Sequence, residues 1–465
     1  MSERPLDRES LGREIESRRS EFVSVLRTLV EHPSVSMQPE HQGDCRKAAE
    51  AAVRLVEERG GTARLCETDG LPVVVGRIEG PEGAPVVTIY NHLDVQPAAR
   101  GEDGWTRDPF VFAEQDGRFY GRGATDDKGP AASALLGAAV AREHGIPVTT
   151  QLVWELEEEI GSQHFEAFLE REKEALASDV VVISDTMWIA PGKPAIPYGL
   201  RGLAAARLVL ETADKDAHSG VTGGVARNPL AELCEVLAGC LDARTGAVKI
   251  EGFDRTWSEP AREEVDGFVA SGFDVERFRR SQALHTMRAT DPREVTSRIW
   301  GRPTMEVHGI RGGYQGEGVK TIVPPRAEAK VSFRLVPPQT SEQIVELLRA
   351  HVAKLNPDVQ VVGEHGIRPY LGPRDGAVME AAADAFAFGF GAQPAWIREG
   401  GSIGAVLLMD QHLRAPITFL GLSLPEHGYH GPDEYFDWGQ ASGGIAAFAR
   451  FLERAASWKA KAAVL

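Results

Sequence analysis

Three apolar runs in the first half of the chain end alike, and they restrict its fold more than any other feature. Val86-Val87-Thr88-Ile89-Tyr90 leads into Asn91-His92-Leu93-Asp94. Thr149–Trp154 leads into Glu155-Leu156-Glu157-Glu158-Glu159, and Val180-Val181-Val182-Ile183 into Ser184-Asp185. Runs rich in β-branched residues without polar alternation are those of strands buried on both faces. Helical patterns separate them: Arg13–Glu31, Cys45–Glu58 and the Ala-rich Pro130–Glu143. This alternation predicts an α/β fold, with a mainly parallel sheet carrying helices on both faces. Open sheets of this kind bind ligands beyond the carboxyl ends of their strands, where these acidic and histidine residues fall.

His92 and Asp94 are two residues apart, so in extended chain they point to one side. The arrangement suits an imidazole that ligates a metal while a carboxylate orients its other nitrogen. Taken alone, the pair fits a strand-end histidine bonded to the backbone equally well. Gly121-Arg122-Gly123-Ala124-Thr125-Asp126-Asp127-Lys128-Gly129 has two glycines of a dinucleotide loop but not the third. Asp126 stands there instead and would repel a pyrophosphate, so the glycines are read as bending the backbone to aim an aspartate. The adjacent Glu158 and Glu159 can divide labour, one as ligand and one as general base.

The bulk numbers bound the class of chemistry. A chain of 465 residues predicts two or three domains, and a net charge of −17 disfavours nucleic acid and anionic membranes as partners. The four cysteines, Cys45, Cys66, Cys234 and Cys240, form no CxxC pair, so a metal would be held by histidine and carboxylate. The charged stretch Met1–Arg19 has no signal-peptide core and no apolar run reaches membrane-spanning length, so a cytoplasmic location is expected.

The ordered set His92-x-Asp94, Gly-Arg-Gly-x-x-Asp126-x-Lys-Gly, Glu158-Glu159-x-Gly-Ser and Ser184-Asp185 resembles the M20 metallopeptidases. Within them it is most similar to the dipeptidase branch that contains the carnosine and cysteinylglycine dipeptidases. The resemblance implies two zinc or manganese ions, with Asp126 bridging, His92 and Asp185 completing one site, and Glu159 and His430 the other. It makes Asp94 the orienting carboxylate and Glu158 the general base and acid. It also implies a catalytic domain in two parts, 1–199 and 368–465, around an inserted two-layer α/β lid and dimerisation domain, 200–367. His218, in Asp216-Ala217-His218-Ser219-Gly220, would reach the partner subunit's active site in a homodimer and stabilise the oxyanion. Arg334, His365, Gly401 and Ser402 would contact a small peptide substrate. Two positions depart from the family pattern: Gly404 replaces a usual proline and Asp433 a usual asparagine.

Alternatives stand beside this reading. N-acyl- or N-carbamoyl-amino acids are the runner-up substrates on the same fold. Gly400-x-Ser402-x-Gly404 also satisfies a serine-hydrolase elbow, with Asp410 and His427 following in order. That reading leaves the earlier acidic motifs without purpose. A metal-storing or scaffold protein is disfavoured by Glu158, which a storage site would not need. No task is assigned to 253–298.

Overall fold

Thr149–Glu155, Val86–His92, Val180–Ile183 and Ile417–Phe419 lie side by side in that order, all parallel. A computed structural model describes residues 5–101, 104–364 and 366–458. Val73–Ile78 and then Thr62–Cys66 extend this sheet beyond Thr149–Glu155 through antiparallel pairings. Val73–Ile78 is therefore the single reversed strand of six. Neighbouring residues of the central strand serve opposite faces, as the pleat requires. Val87 and Ile89 join the core cluster that includes helix Lys128–Glu143, whereas the Tyr90 ring meets Phe165 of helix Phe165–Glu172 edge-on at 5.9 Å. Helices thus cover both faces.

The helix expected over Arg13–Glu31 is two helices, Arg8–Ser17 and Arg19–Val30. Arg18 (φ −92°, ψ 6°) makes the corner, with its guanidinium bonded to Glu14 and Glu143. The bend lets Leu11 and Ile15 on one side, and Phe22, Val25 and Leu26 on the other, enter one core.

The chain divides into two compact units, one from 1–198, 372–397 and 403–465, the other from 199–371 and 398–402. The sheet above belongs to the first. The second contains a four-stranded antiparallel sheet in the order Thr304–Gly312, Arg326–Leu335, Gly202–Glu211, Gln360–Gly363. Arg326–Leu335 alternates strictly, and Gly202–Glu211 alternates as far as Leu208, after which Val209 is buried too. Ala204, Ala206, Leu208 and Leu210, with Ala327, Ala329, Val331, Phe333 and Leu335, bury one side of each against helices Pro229–Cys240 and Ser341–Leu355. Asn228 caps the first of these helices and Thr340 the second, each accepting main-chain N–H bonds. The segment without a predicted task contains helices Arg262–Ala270, Val275–Ser281 and Pro292–Thr296.

Candidate metal centre

Register brings the strand ends together. His92 pairs with Glu155 across the sheet, and Tyr90 pairs with Ile183 on the other side. The segments just beyond these pairs carry Asp94, Glu157–Glu159 and Asp185, so three separate strand ends empty into one place. Two sets of ligand atoms result: His92, Glu158 and Asp185, and Asp126, Glu159 and His430. Within each set the atoms lie within 4.8 Å of one another.

Asp126 joins the sets. Its Oδ1 is 3.0 Å from His92 Nε2 and its Oδ2 is 2.9 Å from His430 Nε2. His430 Nε2 also lies 3.3 Å from Glu159 Oε2, and His92 Nε2 lies 3.9 Å from Asp185 Oδ2. His92 Nδ1 donates to the main-chain carbonyl of Asp94 at 3.0 Å, with the Asp94 carboxylate 3.5 Å away. That bond leaves Nε2 as the nitrogen facing the carboxylates.

The charges are those of a site made for cations. Burial pushes the Asp185 carboxyl up to about 6, and pushes Glu158 well above the ordinary carboxylate range with help from neighbouring acids. Burial opposes charge on Asp126 as well, but the close His430 and His92 imidazoles overcome it and hold this carboxyl low. Burial would lower His430, yet its bonds to Asp126 and Glu159 lift it to about 10. Two imidazoles and four carboxylates form a borderline-to-hard donor set, which fits divalent ions such as zinc or manganese.

Surrounding groups hold these side chains in place. Asp94 accepts N–H bonds from Glu158 (3.2 Å) and Glu159 (3.1 Å) and the Ser36 hydroxyl at 2.7 Å. Gln96 donates to Glu159 Oε2 at 2.6 Å, and the Tyr429 hydroxyl donates to Asp185 Oδ1 at 2.6 Å. Sequence reasoning missed both. The available signals were Gln96 two residues beyond Asp94 on extended chain, and Tyr429 next to His430.

Residues 88–454 match the model of peptidase family M20/M25/M40. The chain belongs to this family. Among M20 relatives it is 32% identical to the β-Ala-His dipeptidase of Homo sapiens over 465 residues, covering 95% of this chain and 91% of that protein. It is 30% identical to the Cys-Gly metallodipeptidase dug1 of Schizosaccharomyces pombe, covering 95% and 97%. The structure of the Saccharomyces cerevisiae dipeptidase Dug1p matches with a TM-score of 0.87 at 27% identity, covering 97% of this chain and 99% of that one.

Other expected residues of this M20 peptidase lie in the second unit. Arg334 Nη1 donates to the Ser402 hydroxyl at 2.9 Å, and that hydroxyl donates to the Arg201 carbonyl at 2.5 Å. Gly401 has open space where a Cβ would project. His218 is exposed at the end of strand Ala217–His218 and accepts the Gly220 N–H at 3.0 Å. His365 lies outside the described residues. The serine-hydrolase reading loses its base, because buried His427 is engaged on both sides. Its Nδ1 is 2.8 Å from Thr125 Oγ1 and its Nε2 is 3.0 Å from Asp437 Oδ2. Asp433 has φ +51°, a left-handed conformation that asparagine and aspartate both tolerate. Its carboxylate accepts the Thr106 N–H and hydroxyl, so the departure from asparagine is accommodated.

Proposed function

We propose that this chain is a two-metal dipeptidase, with Asp126 bridging, His92 and Asp185 holding one ion, and Glu159 and His430 the other. The observation that carries the reading is the Asp126 carboxylate, which turns one oxygen to each histidine. Two zinc or manganese ions would polarise the scissile carbonyl and lower the pKa of a water. Glu158 takes the proton from the attacking water and delivers it to the leaving amine. It is a carboxyl kept basic by burial, beside the ligands but outside the contacts that tie Asp126 to both histidines. Asp94 orients His92 and the Glu158 loop.

The inserted domain expected over 200–367 acts as lid and dimerisation domain, and His218 stabilises the oxyanion in a second copy of the chain. Arg334, Gly401 and Ser402, together with His365, bind the substrate carboxylate, for which a planar guanidinium is a suitable donor. The names of the relatives support a free dipeptide as substrate. Four free thiols support a reducing, cytoplasmic setting. No helix among the described residues is long and apolar enough to cross a membrane.

The test is turnover of free-amino dipeptides against the same dipeptides N-acetylated, with zinc- or manganese-loaded and chelated protein. Preference for the free amine, lost on chelation, is expected. Preference for the blocked set would move the activity to deacylation, and indifference to chelation would end the metal mechanism.

A further inference from the structure

We propose that Glu434 is a positioning residue that locks the turn carrying Asp126 to the loop carrying His430, making the two ligand segments of one ion a single piece. The proposal rests on the two-metal reading above. Glu434 is fully buried and ligates nothing in either set. Its Oε1 accepts the main-chain N–H groups of Thr125 at 2.8 Å and Asp126 at 3.1 Å. Its Oε2 accepts the Gly123 N–H at 2.9 Å and Arg122 Nη1 at 2.8 Å. A carboxylate kept only for an ion pair would need Arg122 alone. This one directs three of its four bonds at the backbone of the turn that ends in Asp126.

The other end of the link is covalent. Glu434 closes His430-Gly431-Pro432-Asp433-Glu434, in which His430 and Asp433 both have left-handed φ, +56° and +51°. Arg122 reinforces the link by reaching the His430 carbonyl at 3.4 Å, and the Gly121 N–H donates to the Glu434 carbonyl at 3.0 Å. The turn itself admits little change. Gly123 has φ +85°, and a Cβ there would stand 2.6 Å from Val95 Cγ1. Displacing Glu434 would therefore shift the Asp126 oxygens and the His430 ring relative to one another.

The informative substitution is Glu434→Gln. An amide has one acceptor oxygen where the carboxylate has two, so either orientation sets an NH2 against two donors. In the full-length protein stripped of metal, zinc is titrated against a competing chelator, and melting of the metal-free form is recorded in parallel. The wild type is expected to bind two ions. E434Q is expected to weaken the ion held by Glu159 and His430 by about 10- to 100-fold, the usual effect of removing a group that orients ligands, and to weaken by less the ion that shares only Asp126 with it. It should still melt cooperatively without metal. H430A removes a ligand from the same ion, so the loss that E434Q causes should be smaller in the H430A background than in the wild type.

A purely structural role would instead weaken both ions equally in E434Q and add its full loss to that of H430A. That result, or wild-type affinity for both ions in E434Q, overturns the proposal. If E434Q does not fold, the same titration on E434D decides: its shorter side chain keeps the charge but cannot span both pairs of donors, and wild-type affinity there overturns the proposal. Two ions bound without dipeptide turnover would count against the dipeptidase reading alone, since the titration needs no substrate.

Discussion

Asp94 Oδ1 accepts the main-chain N–H of Glu158 at 3.2 Å, so a carboxylate at the end of one strand holds the loop at the end of its neighbour. The other oxygen takes the Glu159 N–H and the Ser36 hydroxyl. One side chain therefore sets the position of the proposed base and of the carboxylate beside it, while its carboxylate stands 3.5 Å from the His92 imidazole, whose Nδ1 bonds to the Asp94 main-chain carbonyl. This makes Asp94 more than the histidine's partner that the motif suggested.

Asp94→Asn is accordingly expected to impair activity although the shape is preserved. Every hydrogen-bond partner of the Asp94 carboxylate here is a donor, and an amide NH2 would oppose a main-chain N–H in either orientation. The expected fall in kcat/KM is about 10- to 100-fold. Steady-state kinetics on a free dipeptide checks it, and an unchanged kcat/KM would remove Asp94 from the orienting role.

Glu158→Gln separates base from ligand. Glu158 lies within reach of His92 and Asp185, so geometry alone permits either part. As general base its loss should lower kcat by about 100- to 10,000-fold, with both metal equivalents retained. Metal counting beside kinetics decides. Loss of one equivalent would make Glu158 a ligand, and full turnover would acquit it of both parts.

Gly137 is predicted to be a packing requirement. Helix Lys128–Glu143 meets helix Trp438–Ala455 there, and a Cβ would stand 2.5 Å from Phe448 Cβ and 3.0 Å from the Ile445 carbonyl. Gly137→Val should therefore destabilise the protein by about 1–3 kcal/mol. The check is a lower denaturant midpoint at unchanged slope.

The thiols should differ sharply in reactivity. Burial pushes Cys45 up to about 12 and Cys66 and Cys240 up to about 11, whereas Cys234 is exposed. A raised thiol pKa leaves the neutral, unreactive form dominant near pH 8. Titration with a chromogenic disulfide at that pH should find one fast thiol in the native protein and four after unfolding. More than one fast native thiol would contradict the burial.

The strand ends were legible because the signal is local. An apolar run followed at once by His-x-Asp, Glu-Glu or Ser-Asp states both the buried element and the polar group at its end. The corner at Arg18 was not legible, because the apolar spacing of Arg13–Glu31 continues across it, and the Glu143 carboxylate that Arg18 meets there lies far along the sequence. Gln96, Tyr429 and Glu434 were missed for a related reason. Each is an ordinary polar residue until the fold delivers its partner.

The sequence by itself determined the class of fold, the ligand types and the strand ends that carry them. Hydrophobic periodicity and donor chemistry are properties of short stretches. Only the tertiary structure decided which Asp126 oxygen faces which histidine, and that Glu434, 308 residues away from Asp126, satisfies the backbone of its turn. A buried carboxylate must find donors wherever the chain brings them, and no local pattern records which distant loop will arrive.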